Sequence, residues 1–327
     1  MDITQAKRIY FLAICGTAMA SLAAMLKQMG YEVYGSDSGV YPPMSTFLAE
    51  QGIPVFDGFD PVHLQPEPDW VVVGNVISRG NPEIEEILDR HIPYLSLPEA
   101  LREFCIRGRR SIVVTGTHGK TTTTSLLAWI FECAGRNPSF LIGGIPNNFG
   151  RGFQIGRDRD IILEGDEYDS AFFDKAAKFL RYLPDIGIIN HVEFDHADIY
   201  SSLDEIKLAF RRFVNLLPRN GLLAACYDFD AVRQVCAKAL CPVQSFGLSP
   251  DLYWTATDIR QTAAGQSFTV QRQGDPWLQV QLPMFGDHNI RNALAAIAVA
   301  AHAGIAAETI ARSEERRVGK ECRSRWS

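Results

Sequence analysis

One segment of the chain combines residue types and spacing that suit phosphate binding: Thr115-Gly116-Thr117-His118-Gly119-Lys120-Thr121-Thr122. An apolar run at 111–114 precedes it and a helical pattern at 126–133 follows it, which predicts a strand, a glycine loop and a helix. Backbone N–H groups of such a loop bind phosphate oxygens, and the helix N-terminus adds partial positive charge. Lys120 would reach the terminal phosphates, and the Thr121 hydroxyl would ligate Mg²⁺. Two residues separate the glycines, against four in the commoner loop, so we predict a shortened nucleotide site.

Two further polar clusters follow apolar runs that we interpret as strands. The first is Glu164-Gly165-Asp166-Glu167-Tyr168-Asp169, and carboxylates of this kind bind Mg²⁺ together with phosphate oxygens. The second is Asn190-His191-Val192-Glu193-Phe194-Asp195-His196-Ala197-Asp198, and its His196 would ligate a metal as a neutral imidazole that a carboxylate orients. A solvated acidic loop and a structural histidine are the alternatives, but the density of the clusters and their strand-end positions favour function.

A fourth cluster, Gly286-Asp287-His288-Asn289-Ile290-Arg291-Asn292, precedes an apolar helical run at 293–301. Asn289 and Asn292 are three residues apart and share a helix face. Their amides supply both donors and acceptors, as an adenine edge requires. Taken alone, the cluster is a helix-capping loop. Because a phosphate-binding loop lies in the same predicted domain, we interpret the two asparagines as adenine-recognition residues.

The elements that position these clusters form two α/β units. Short apolar runs alternate with helical patterns, which predicts mostly parallel sheets. In the first unit the predicted elements are strands at 9–14, 32–35, 70–74 and 92–95, and a helix at 18–29. The first strand–helix turn lacks two glycines of the dinucleotide-binding pattern, but Asp37 lies where a ribose-binding acid belongs. A plain tight turn with a surface aspartate is the alternative.

The second unit begins after Arg107-Gly108-Arg109-Arg110 and runs to about residue 310. Ligands of open α/β sheets bind at the carboxyl ends of the strands, so the polar clusters should converge there. The region at 253–282 alternates polar and apolar residues, which indicates antiparallel hairpins at one side of the sheet. The predicted fold class is α/β, with an N-terminal Rossmann-like parallel-sheet domain at 1–107 and a P-loop-type α/β ATP-binding domain at 108–312.

The composition restricts the partners and the compartment. A chain of 327 residues with 46% hydrophobic residues suits two domains, and a net charge of −6 argues against a nucleic-acid partner. Seven scattered cysteines without a C-x-x-C pattern predict free thiols and a cytoplasmic location. A charge-free run at 9–26 imitates a signal peptide or membrane anchor, but Gly16-Thr17 divides it into a strand and a helix. We therefore expect no membrane association.

Together and in this order, the four clusters resemble those of the Mur ligases, ATP-dependent amide-forming enzymes of peptidoglycan synthesis. The resemblance covers residues 8 to about 312 and is greatest to members that attach a murein tripeptide to UDP-N-acetylmuramic acid. The segments that carry it are Ile14-Cys15-Gly16-Thr17, Val40-Tyr41-Pro42-Pro43-Met44-Ser45-Thr46, Arg79-Gly80-Asn81-Pro82, Ala171-Phe172-Phe173-Asp174-Lys175 and Glu193-Phe194-Asp195-His196-Ala197-Asp198. It implies a ligase of peptidoglycan recycling that uses ATP and Mg²⁺ and forms an acyl phosphate.

The resemblance also implies residue roles. The UDP-sugar would contact Gly16, Thr17, Ser36, Asp37 and Asn75. The ATP-binding residues would be Gly116, Thr117, His118, Gly119, Lys120, Thr121, Thr122, Asn289 and Asn292. Lys120, Glu164 and His196 would be catalytic. Thr121 would ligate one Mg²⁺, and Glu164 and His196 would together ligate a second. Catalysis would come from positioning and charge neutralisation.

Three departures from the family pattern are present. Ala13 stands where glycine is usual, which would crowd the diphosphate loop. Ala176-Ala177 replaces the usual Arg-Ser, which puts one substrate contact in doubt. Phe210 occupies the position of a carbamylated lysine that supports the second metal in some members, and we do not assign that role to Lys207.

The chain is also shorter than family members, which carry a third, amine-binding domain. We interpret 313–327 as a foreign or disordered tail, and we expect residues 1–312 to fold and bind both ligands without ligating them. The alternatives are a binding-only fragment for ATP and the UDP-sugar, a UDP-N-acetylmuramate–L-alanine ligase and, less favoured, a membrane-anchored or secreted NTPase. The oligomeric state is left open.

Overall fold

The computed structural model describes residues 3–194, 200 and 202–315. Contacts divide the chain into two compact units. The first contains the chain up to Arg107 and the later segment Tyr168–Tyr182, and the second contains Gly108–Glu167 and the chain from Leu183 onward. The segment Tyr168–Tyr182 therefore packs with the first unit although it lies within 108–312, the range predicted for the second domain.

The first unit is built on a five-stranded parallel sheet. Its strands are β1 Arg8–Leu12, β2 Glu32–Asp37, β3 Val55–Asp57, β4 Trp70–Val73 and β5 Tyr94–Ser96, in the spatial order β3-β2-β1-β4-β5. Its helices are α1 Thr17–Gln28, α2 Met44–Glu50, α3 Pro82–Asp89 and α4 Leu97–Leu101, with a π-helical turn at Arg102–Ile106 and 3₁₀ turns at Ile3–Gln5, Pro61–Leu64 and Lys178–Arg181. This strand order is that of a Rossmann-like sheet, which confirms the predicted class.

The charge-free run at 9–26 is explained by burial. Strand β1 is the central strand, and every residue of helix α1 from Met19 to Leu26 is buried. Both elements are therefore surrounded by apolar neighbours, and a charge at almost any position would be desolvated. Within the part of the chain that the structure describes, none of the helices combines the length and apolar character that a transmembrane span requires.

The second unit is built on a ten-stranded mixed sheet. Its strands are β6 Arg110–Thr115, β7 Ser139–Leu141, β8 Phe153–Gln154, β9 Asp160–Glu164, β10 Ile186–Ile189, β11 Leu222–Cys226, β12 Val243–Gly247, β13 Trp254–Thr262, β14 Gly265–Arg272 and β15 Asp275–Leu282. Their order is β15-β14-β13-β12-β11-β10-β6-β9-β7-β8. Strands β13, β14 and β15 are antiparallel, as predicted for 253–282, whereas β9, β6, β10 and β11 run parallel.

The helices of this unit in the described part of the chain are α5 Lys120–Cys133, α6 Leu203–Leu216, α7 Asp230–Cys236, α8 Asp287–His302 and α9 Ala307–Glu315. Helix α8 is buried almost throughout because its alanines allow close packing against α5 and the sheet. The predicted tail began at Ser313, but α9 continues to Glu315. Ser313 is fully buried, and its carbonyl accepts a hydrogen bond from Trp129 Nε1 at 3.0 Å. The remaining tail residues lie outside the described part of the chain.

Candidate nucleotide-binding and metal-binding site

The phosphate-binding loop, residues 116–119, connects the central strand β6 to helix α5. Gly116 and Gly119 have φ angles of 137° and 77°, a region that favours glycine. A Cβ atom at Gly119 would lie 2.3 Å from Asn292 Oδ1, and one at Gly116 would lie 2.9 Å from the backbone nitrogen of His191. Both positions therefore require glycine, because φ is positive and neighbouring residues leave no room for a Cβ atom. The loop ends at the N-terminus of α5, as the sequence predicts.

Lys120 lies at this helix start with its ammonium in a defined position. Its Nζ donates to the Gly116 carbonyl at 2.9 Å and to Glu167 Oε2 at 2.7 Å. The Lys120 side chain is 11% exposed and that of Glu167 is fully buried. The ammonium is thus held across the loop by an acidic partner, and it can exchange contacts with Gly116 for contacts with an anionic ligand. The sequence indicated an acidic cluster here but did not assign Glu167 to Lys120.

Thr121 and Glu164, two of the three predicted metal ligands, are in direct contact. The Thr121 hydroxyl donates to Glu164 Oε1 at 2.6 Å, and the Gly143 backbone N–H donates to Glu164 Oε2 at 2.7 Å. Burial raises the pKa of Glu164 to about 6, and the nearby Asp166 adds to this, while the hydrogen bonds from Thr121 and Gly143 oppose it. The third predicted ligand, His196, lies outside the described residues, so the complete metal site stays a prediction.

The raised pKa of Glu164 leads to a pH-dependence prediction. A carboxylate binds a divalent cation only when ionised, so cation affinity should fall as pH drops below about 6. We expect Mn²⁺, used as a probe with a non-hydrolysable ATP analogue, to lose up to about tenfold affinity per pH unit there. Electron paramagnetic resonance of free Mn²⁺ measures this affinity.

The Glu164→Gln variant should bind Mn²⁺ more weakly at pH 7.5 and show a shallower dependence of affinity on pH. Comparison with this variant removes the contribution of the nucleotide's own titration. Equal pH slopes in both proteins would contradict the assignment.

Asparagine side chains connect helix α5 to helix α8. Asn190, just after β10, donates from Nδ2 to Thr123 Oγ1 at 2.9 Å and approaches Asn292 Oδ1 at 3.5 Å. Asn292 is buried and donates to Asn289 Oδ1 at 3.4 Å, so the two predicted adenine-binding residues are adjacent. Asn190 Oδ1 is buried, with no hydrogen-bond partner in the described part of the chain. The sequence identified the Asn289–Asn292 spacing but not the position of Asn190 beside it.

The predicted UDP-sugar residues follow the carboxyl ends of three strands of the first unit. Gly16 and Thr17 begin helix α1 after β1, Asp37 ends β2, and Asn75 is exposed after β4. The strand order reverses between β1 and β4, where ligands of such sheets bind. Asp37 accepts hydrogen bonds from the Cys15 and Gly39 backbone nitrogens at 2.8 and 2.9 Å, so it fixes the turn after β1.

Ser36, also predicted to contact the UDP-sugar, is fully buried. Its hydroxyl donates to Glu83 Oε2 at 2.6 Å, and its carbonyl accepts from the Ala13 and Ile14 backbone nitrogens. Glu83 itself is fully buried on α3 and also accepts hydrogen bonds from the Tyr10 hydroxyl and the Asp60 backbone. Ser36 therefore supports the turn after β1 from inside the protein.

The three departures from the family pattern have structural counterparts. Ala13 has a φ of 67°, a left-handed conformation that costs an alanine about 1–2 kcal/mol relative to glycine. Ala177 is buried, and Lys175 pairs with Asp169 at 2.6 Å. Phe210 is fully buried in α6. The side chain at position 210 is therefore packed into the interior of the unit.

A glycine loop with its lysine, threonine and adjacent carboxylate at the carboxyl edge of parallel strands is the arrangement typical of nucleotide-binding α/β proteins. Family comparison gives the particular class. The model described as "Mur ligase family, catalytic domain" matches residues 8–109, and the "Mur ligase middle domain" matches residues 114–300. The chain belongs to the Mur ligase family.

Individual relatives agree with this assignment. The chain is 44% identical over 302 residues to UDP-N-acetylmuramate–L-alanyl-gamma-D-glutamyl-meso-2,6-diaminoheptandioate ligase of Haemophilus influenzae, covering 92% of this chain and 66% of the relative. It is 42% identical over 299 residues to the Escherichia coli enzyme of the same name, covering 91% and 65%. The chain thus spans slightly less than two thirds of these relatives.

A solved structure is similar over nearly the whole described fold. The crystal structure of UDP-N-acetylmuramate:L-alanyl-gamma-D-glutamyl-meso-diaminopimelate ligase from Neisseria meningitides superposes with a TM-score of 0.90 at 39% identity. The similarity covers 97% of this chain and 100% of that one. The α/β architecture predicted from the sequence is confirmed by this agreement.

Proposed function

We propose that the protein acts in an ATP-dependent ligation that joins UDP-N-acetylmuramic acid to the tripeptide L-Ala-γ-D-Glu-meso-diaminopimelate. The observation that carries the proposal is the contact of Thr121 with Glu164 beside Lys120 in the phosphate-binding loop. These three side chains would provide oxygen ligands for a cation and an ammonium for phosphate at one sheet edge. The two similar ligases named above have this sugar nucleotide and peptide in their names, which supports the choice of substrates.

In the proposed reaction the lactyl carboxylate of the sugar attacks the γ-phosphate of ATP, and ADP leaves. The tripeptide amine then attacks the acyl phosphate, an amide forms, and inorganic phosphate leaves. Lys120 would hold the terminal phosphate and offset the charge that accumulates on its oxygens. Thr121 would hold one Mg²⁺ and Glu164 with His196 a second, and these ions would supply further charge neutralisation when bound. Gly16, Thr17, Asp37 and Asn75 would hold the UDP-sugar, with Ser36 in a supporting position.

We place this activity in peptidoglycan recycling in the cytoplasm. The six cysteines in the described part of the chain are all free thiols, which suits a reducing compartment. UDP-N-acetylmuramate–L-alanine ligation and binding without ligation are the competing functions. The first uses a different amine and the second uses none, so one assay with a choice of amines separates them from the proposal.

The assay measures phosphate release with ATP, Mg²⁺, UDP-N-acetylmuramic acid and an amine. Because the chain spans slightly less than two thirds of the relatives' length, ligation is measured on the gene product as the cell makes it and ligand binding on the 327-residue chain. We expect release to require all components and to be at least ~10-fold faster with the tripeptide than with L-alanine, a ~1.4 kcal/mol discrimination. A preference for L-alanine would favour the alanine ligase. Binding of both ligands without release would favour a binding protein.

A further inference from the structure

Three side chains outside the predicted magnesium site converge beside the phosphate-binding loop. His118 Nε2 contacts Glu193 Oε1, and His191 Nδ1 lies 3.7 Å from Glu193 Oε2. One ligand atom from each of the three residues lies within 4.8 Å of the other two. The two imidazole rings are stacked, with centroids 5.6 Å apart. We call these three residues the His–His–Glu cluster.

The cluster is assembled by neighbouring strands of one sheet. His118 belongs to the loop between β6 and α5, whereas His191 and Glu193 follow β10, and β6 pairs with β10 in parallel. The side chains of His118 and Glu193 are 59% and 48% exposed, but that of His191 is only 17% exposed. His191 packs edge-on against Phe229, with ring centroids 4.0 Å apart. The cluster therefore has one anchored ligand and two that can adjust toward an ion from solvent.

The donor set selects a class of ion. Two imidazoles and a carboxylate suit zinc, cobalt, nickel and copper, whereas Mg²⁺ prefers oxygen ligands. Metal–ligand distances of ~2.0–2.2 Å require donor atoms to lie within about 4.4 Å of each other. The donor atoms of the cluster lie within 4.8 Å of one another, slightly more than this limit. Rotation of the exposed His118 and Glu193 side chains can shorten these distances. We propose that the His–His–Glu cluster binds one divalent transition-metal ion such as Zn²⁺.

The contacts of His191 fit this role. Its Nδ1 lies 3.1 Å from the Thr117 hydroxyl, so binding an ion there would replace one weak contact. Burial lowers the pKa of His191, and the nearby His118 and Arg291 also lower it while Glu193 opposes them. A lowered pKa favours the neutral imidazole, which is the form that binds a metal ion. A salt bridge of protonated His118 with Glu193 is the alternative arrangement, and it predicts no ion binding.

An ion in the cluster would have a local consequence. His118 lies between Thr117 and Gly119 of the phosphate-binding loop. Coordination would tie the middle of this loop to the segment that follows β10. The cluster shares no residue with Thr121, Glu164 and His196, so transition-metal binding there is separate from the predicted Mg²⁺ site.

The test uses Co²⁺ as a spectroscopic probe on the full chain, without nucleotide and in excess Mg²⁺. We expect one Co²⁺ per chain, displaced by Zn²⁺ and not by Mg²⁺. His191→Asn should weaken Co²⁺ binding at least ~10-fold, because it removes a ligand. His118→Asn, at an exposed position, should do the same and guards against misfolding of the first variant.

Two controls make the result specific. His91→Asn is the matched change, because His91 is exposed and has a φ of 53°, which asparagine tolerates. It should leave Co²⁺ affinity unchanged, as should Glu164→Gln. Failure of the wild-type chain to bind Co²⁺, or unchanged affinity in both His118→Asn and His191→Asn, would overturn the proposal. A thiolate-to-cobalt charge-transfer band, or loss of binding in Glu164→Gln, would place the ion elsewhere and also overturn it.

Discussion

Replacement of Lys120 by methionine is expected to weaken ATP binding at least ~100-fold and to leave UDP-N-acetylmuramic acid binding unchanged. The ammonium provides charge-assisted contacts to phosphate, and loss of one or two of these costs ~1.5–3 kcal/mol each. The residues proposed to bind the UDP-sugar lie in the other compact unit, which does not contain Lys120. Calorimetry with each ligand measures both effects. Equal loss of both affinities would contradict the assignment of the two ligands to separate units.

The Lys120 variant needs a control for stability. Glu167 is fully buried and pairs with Lys120 at 2.7 Å, so removal of the ammonium alone leaves a buried carboxylate without this partner. Such a loss costs ~3–5 kcal/mol in other proteins. The double variant Lys120→Met/Glu167→Gln removes both charges and should recover most of the free energy of unfolding. If the double variant is stable and still binds ATP as the wild type does, Lys120 does not hold the phosphates.

Glu83→Ala is expected to lower the free energy of unfolding by ~3–5 kcal/mol. The fully buried Glu83 carboxylate accepts hydrogen bonds from Tyr10, Ser36 and the Asp60 backbone at 2.6–2.9 Å, and His63 Nδ1 lies 2.8 Å away. Truncation leaves the buried Tyr10 and Ser36 hydroxyls without this acceptor, and each unsatisfied group costs ~1–3 kcal/mol. Urea denaturation followed by circular dichroism measures the loss.

Helix α3 offers a matched control for Glu83. Glu86 lies on the same helix, its side chain is 37% exposed, and its ion pair with Arg90 spans 3.5 Å. Glu86→Ala should change the free energy of unfolding by no more than ~0.5 kcal/mol. Glu83→Gln should give an intermediate loss, because the amide keeps one acceptor oxygen and places N–H groups toward donors. A Glu83→Ala variant as stable as Glu86→Ala would show that the buried hydrogen bonds are not needed.

The strand-end argument predicted well which polar residues lie together at this edge of the sheet. The loop after β6 and Glu164 at the end of β9 lie side by side because these strands pair in parallel, and Asn190 follows β10 on the other side of β6. Polar clusters after apolar runs are therefore informative, since sheet topology gives them few alternative positions. Likewise, the interruption at Gly16-Thr17 correctly predicted that the charge-free run divides into a strand, β1, and a helix, α1.

The partners of individual polar groups could not be predicted in the same way. Glu83, Glu85 and Glu86 look alike in sequence, yet only Glu83 is buried, because helix orientation and the approach of β1 and β2 decide which carboxylate faces inward. The Lys120–Glu167 pair depends on where the chain turns after β9, which no local pattern specifies. Gly143 was missed as well, although the pair Gly143-Gly144 directly after a short apolar run was a usable signal.

The return of Tyr168–Tyr182 to the first unit sets an order on the biosynthesis of the protein. All five strands of that unit leave the ribosome early, but Phe172 and Phe173, which pack against its core, and Asp174, which accepts a hydrogen bond from Ser96, are made later. Residues 108–167 of the second unit must be synthesised in between. The nascent first unit therefore exposes part of its apolar surface while the second unit begins to form, and a chaperone that covers it would act in this interval.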